Sequence, residues 1–159
     1  MDENWTEALK EFDGVWQRVQ GREHPAEAAS CAAPTLEQMI RSEAEREQYY
    51  RALARLAEGR STAELDTMAA ECRENCKRLQ TELFLETGNT CVPEPGPLPN
   101  DGFLGYLRRA YLRENAAARE YLEAAAGDDR ALSGLYGELS GQCTRRSEKL
   151  YALVSRVLG

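Results

Sequence analysis

Glu43, Cys72, Glu114 and Cys143 are the residues of this chain best suited to act together, because the two glutamates and the two cysteines each stand 71 positions apart. The same offset pairs Leu36 with Leu107, Tyr50 with Tyr121, Met68 with Leu139, Leu79 with Leu150 and Leu83 with Val154, the mark of an internal repeat. Two carboxylates and two thiols meeting at one point allow three kinds of chemistry. With Cys76, one turn beyond Cys72, they could bind a thiophilic metal such as zinc in a roughly tetrahedral site. Cys72 and Cys143 could instead cycle between dithiol and disulfide, if their Cα atoms approach within about 7 Å. The third arrangement is a buried polar network, in which the guanidinium of Arg146 lies between Glu43 and Glu114 and replaces a metal's charge. Tyr50 and Tyr121 would donate to the same carboxylates, while Asn75, the match of Arg146 under the offset, breaks the symmetry.

Four helices must position these side chains. Thr35 can cap a helix running to about Ala57, where Glu58-Gly59 ends it. Ser61, with Glu64 three residues on, reads as the capping box of a second helix reaching Thr87 before Gly88. Asn100 or Asp101 opens a third, to Ala126, and Asp128 or Asp129 a fourth that runs almost to the end. Apolar periodicity puts Leu65, Met68, Cys72, Asn75, Leu79 and Leu83 on the core face of the second, with Cys76 flanking. In the fourth, that face carries Leu132, Leu135, Leu139, Cys143, Arg146, Leu150, Val154 and Val157. The short first and third joints make antiparallel hairpins. The middle connection, GNTCVPEPGPLPN, sets prolines at alternate positions and stays extended, reaching roughly 40 Å, about the length of a 25-residue helix. It can start the third helix parallel to the second, a single-crossover bundle.

The 20 basic and 27 acidic residues are interspersed and leave a formal net charge of −7, which argues against nucleic acid or an anionic membrane surface as a partner. The opening MDENWTEALKEF lacks the features of a signal peptide, and no apolar run is long enough to span a bilayer, so a cytoplasmic protein is expected. Residues 1–20 read as a short amphipathic helix and 21–34 as a linker, with 35–159 as the bundle. Trp5, Phe12 and Trp16 share one face of that first helix, which would cap the bundle edge or engage a second copy or a protein partner. The single histidine, His24, sits in the linker without ligand spacing, and Cys31 and Cys91 are expected to be exposed free thiols.

Glu43-x6-Tyr50 and Glu114-x6-Tyr121, within SEAEREQYYRALA and RENAAAREYLEAA, and the stretch CKRLQTELFLETG together resemble the rubrerythrin-type branch of the ferritin-like superfamily over roughly residues 35–158. In that family alternate helices supply a glutamate and the other two each supply Glu-x-x-His, together holding two metal ions. At the positions of those motifs this chain has Cys72-Arg-Glu-Asn75 and Cys143-Thr-Arg-Arg146. The resemblance thus implies an all-α, ferritin-like four-helix bundle, two antiparallel hairpins joined by a long crossover, plus the short N-terminal helix. Its di-iron site would be altered and its role structural or interactive rather than catalytic, with no cofactor. The alternative is a metal-binding protein, with zinc or iron, or a thiol-redox protein of oxidoreductase type.

Overall fold

The structure, a computed structural model, describes residues 34–127 and 130–159. The helix expected over residues 1–20, nearly all of the 21–34 linker and the caps expected at Asp128 or Asp129 lie outside the described residues. Those that are described form four helices and no strand: α1 (Leu36–Leu56), α2 (Arg60–Thr87), α3 (Gly102–Ala125) and α4 (Arg130–Leu158).

Local chemistry sets most of the boundaries. Thr35 opens α1 with a reciprocal capping box: its hydroxyl accepts from the Gln38 N–H, and its own N–H donates to Gln38 Oε1. Gly88, at φ +73°, closes α2 in the left-handed conformation that glycine adopts without steric cost. Two expected caps differ. Ser61 lies inside α2, because Gly59 at φ +67° takes the N-cap position and no side-chain cap forms there. Asp101 does stand at the N-cap of α3, but its carboxylate pairs with Arg109 instead of capping the backbone.

Cross-helix pairs define the topology. Between α1 and α3, Glu43 meets Tyr121 while Tyr50 meets Glu114, so one numbering rises as the other falls. Between α2 and α4 the pairs are Glu64–Arg156, Glu71–Arg146, Asn75–Gln142 and Arg78–Glu138, again antiparallel. With the α1/α2 and α3/α4 hairpins these give a four-cornered bundle in which α2 and α3 sit on a diagonal and run parallel. The segment from Gly88 to Asp101 makes that crossing. Gln80 Nε2 holds the carbonyl of Cys91 at 2.8 Å, and Gln48 Nε2 holds that of Gly96 at 2.9 Å, fastening the crossover along α2 and α1.

The core has two apolar layers. Met39, Ile40, Leu79, Leu83, Tyr136, Leu139 and Cys143 form one, while Tyr49, Leu53, Leu65, Met68, Cys72, Leu107 and Leu150 form the other. On α4 the buried stripe ends at Leu153, with Val154 half-buried and Val157 exposed. A strict seven-residue reading drifts about 20° per heptad on a straight helix, which explains the misplacement of that last turn.

Candidate functional site

Between the two apolar layers lies a set of charged side chains that are almost wholly shielded from water. Glu43 and Glu114 are 0% exposed and Arg46 and Arg146 1%. Buried charges on this scale persist only when paired and hydrogen-bonded.

Glu114, on α3, holds the centre. Its Oε1 accepts from Tyr50 Oη at 2.6 Å and from Arg146 Nε at 2.8 Å, and its Oε2 accepts from Arg46 Nη1 at 2.9 Å. Burial alone would push this carboxyl up, but the guanidinium charges of Arg46 and Arg146, with the bonds from Arg146 and Tyr50, outweigh it and leave it below the usual value. Glu43, on α1, is less well served. Tyr121 Oη donates to its Oε1 at 2.7 Å and Arg46 Nη2 lies 3.0 Å from the same oxygen. That second contact is an ion pair without hydrogen-bond alignment, so Glu43 Oε2 and Arg46 Nη2 both lack a hydrogen-bond partner within the protein.

The tyrosines cross over between the halves of the chain. Tyr50 follows Glu43 but bonds Glu114, and Tyr121 follows Glu114 but bonds Glu43. Burial, then the adjacent carboxylates, raise both phenols, so each stays protonated and keeps its donor role.

Arg46 sits where Arg146 was expected. It lies between the carboxylates, reaching Glu43, Glu114 and the thiol of Cys143, with Nη1 at 3.1 Å from Sγ. Burial works against its charge, but Glu43 and Glu114 outweigh that and hold it protonated. Of the two carboxylates Arg146 reaches only Glu114, and it then extends outward, its Nη1 at 3.1 Å from Glu71, whose side chain is 40% exposed at the bundle edge. Arg46 was missed because it falls in the charged run SEAEREQYY, which reads as a solvated face. Its position three residues after Glu43 and four before Tyr50, on the same helical face, is the signal that would have found it.

The remaining candidates divide. Cys143 accepts from both arginines, Arg146 Nη2 being 3.6 Å away, yet burial still pushes its thiol up to about 12. Cys72 lies on the opposite apolar layer, and burial followed by Glu43 raises its thiol well above normal. Both are protonated free thiols at neutral pH. Asn75 does not join the carboxylates; it donates to Gln142 Oε1 at 2.7 Å. Cys76 is turned toward the backbone carbonyl of Ile40, 3.7 Å away, and Cys91 is half-buried instead of exposed.

This donor set does not fit a zinc or di-iron centre. Three of the four carboxylate oxygens that a metal would need are engaged by guanidinium and phenol donors, and the guanidinium of Arg46 lies between the two carboxylates. Among the described residues no group of three or more His, Cys, Asp and Glu side chains is arranged to hold an ion. The site can fix four helices in one register, since it ties α1 to α3 and to α4, and α4 to α2. No family model, curated protein or solved structure matches the chain. No described helix is long and apolar enough to cross a membrane.

Proposed function

We propose that this chain is a ferritin-like bundle of the rubrerythrin type in which a neutral network of two arginines and two glutamates stands where that family places its di-metal centre, and that its role is non-catalytic, as a structural or interaction module. The observation that carries this reading is Arg46, a fully buried guanidinium between Glu43 and Glu114 and in contact with Cys143. A cation at that point supplies the charge a metal would otherwise bring, and it would repel one. The single-crossover topology and the cross-paired Glu and Tyr residues support the family part of the reading.

Elemental analysis of protein purified without chelator or a metal-loaded tag tests the proposal. The expected result is substoichiometric zinc and iron; near-stoichiometric metal overturns it.

A further inference from the structure

We infer that Cys76 and Cys91 are a latent disulfide pair, which closes on exposure to a low-molecular-weight disulfide and fastens the proline-rich crossover to α2. The inference is independent of the arginine network and of the role proposed for it.

Three observations bring the two cysteines to the same part of α2. Cys91 packs against the apolar cluster that contains Cys76. Gln80, one turn beyond Cys76 on α2, holds the Cys91 carbonyl at 2.8 Å, so the crossover backbone is anchored over that part of the helix. The Cys76 thiol also responds to its neighbour: burial first, then Glu43, Glu47 and Cys91, push it up to about 11. A surface groove lined by Cys76, Lys77, Gln80, Pro93 and Pro95 opens onto the Cys76 side of the pair. Cys91 is the half-buried member and Cys76 the buried one, so Cys91 meets the oxidant first.

The reaction is thiol–disulfide exchange with oxidised glutathione as the oxidant. The Cys91 thiolate attacks one glutathione sulfur, the glutathione S–S bond breaks, and one glutathione leaves as a thiolate. The Cys76 thiolate then attacks the Cys91 sulfur of the mixed disulfide and expels the second glutathione. Two protein thiols are oxidised to one disulfide, one glutathione disulfide is reduced to two thiols, and the two cysteine protons pass to the departing thiolates. The loop so closed holds the end of α2 and the start of the crossover, restricting the unfolded chain more than the folded one.

The test treats the reduced full chain with oxidised glutathione under native conditions, alkylates the remaining thiols and maps peptides without reduction. The expected product links the Cys76 and Cys91 peptides, consumes two thiols per chain and reverts with dithiothreitol. The oxidised protein should melt roughly 5–10 °C higher. Cys91→Ser should abolish both the link and the shift, and so should Cys76→Ser. If the buried Cys76→Ser variant fails to fold, the wild-type peptide map and the Cys91→Ser variant still decide. A persistent glutathione adduct on Cys91, a bridge from Cys91 to Cys31, or no loss of thiols overturns the inference.

Discussion

Arg46 and Glu114 carry most of the electrostatic burden of the core, and each can be tested alone. Removing the Arg46 guanidinium leaves Glu43 with only Tyr121 and strips Glu114 of one of three donors, so Arg46→Ala should destabilise by about 3–5 kcal/mol in denaturant titration. Arg46→Lys should recover only part of this, because a point ammonium cannot reach both carboxylates and the sulfur of Cys143 with one planar fork. The pH dependence follows from the same contacts. Because the folded Glu114 carboxyl lies below its ordinary value of 4.5, it contributes stability above that pH, and the contribution is lost as pH falls through the depressed folded value. Glu114→Gln should therefore be less stable than wild type at neutral pH and show a shallower loss of stability below pH 4.5, measured by urea unfolding at successive pH values. At the other end, the Cys143 thiol is raised from 9.0 to about 12, so its contribution is whole below pH 9.0 and declines above it. Cys143→Ala should flatten that alkaline decline. The carboxylates, the tyrosines and Cys143 could be picked out in sequence from their spacing, but Cys72 and Cys76 make no bond to the network and the identity of the central cation was not legible. Arg146 stood out beside a core cysteine, whereas Arg46 was disguised by the charged residues on either side of it, and only the packing of α1 against α3 shows which of the two lies between the carboxylates.

The helices were legible because caps and periodicity agree: the Thr35 box and Gly88 fix one end each of α1 and α2 at the expected residues. Where the reading failed, a competing local interaction won. Gly59 displaced Ser61 as the α2 N-cap, and Arg109 drew the Asp101 side chain away from the start of α3. The crossover is the element on which the topology depends. It must traverse the bundle from the end of α2 to the start of a parallel α3, and a chain of alternating prolines holds about 3.1 Å per residue. Deleting residues 92–97 removes roughly 19 Å of reach at that rise, more than any local adjustment can recover. The shortened chain could not seat α3 against α1 within one molecule, although α1/α2 and α3/α4 could still pair as hairpins. The expected outcome is a domain-exchanged dimer or loss of cooperative unfolding, read by size-exclusion chromatography with light scattering and by thermal denaturation. A monomer melting as sharply as wild type would show that the crossover does not set the topology.

At the scale of the whole molecule, a polar layer between two apolar ones is costly to build, since every ion in it has been taken out of water. Its net effect on stability is therefore small or unfavourable compared with an apolar filling, even though each ion is indispensable while the others remain. Replacing Glu43, Arg46, Glu114 and Arg146 together by leucine or methionine, with Tyr50 and Tyr121 changed to phenylalanine so that neither buried hydroxyl loses its acceptor, should leave the bundle as stable as wild type or up to about 4 kcal/mol more stable, whereas each single removal destabilises. The two orphaned atoms, Glu43 Oε2 and Arg46 Nη2, strengthen this expectation, because their desolvation is not offset by a hydrogen bond in the native fold. What the apolar variant should lose is uniqueness. The crossed Tyr50–Glu114 and Tyr121–Glu43 bonds permit one vertical register of α1 on α3, while a continuous leucine-rich core tolerates several. Broadened or doubled amide signals in its NMR spectrum, at undiminished thermal stability, are the expected signature. A variant with a single sharp set of signals would mean that the apolar layers alone specify the register. One that unfolds far more easily than wild type would mean that charge pairing in the ionic network outweighs its desolvation and contributes net stability.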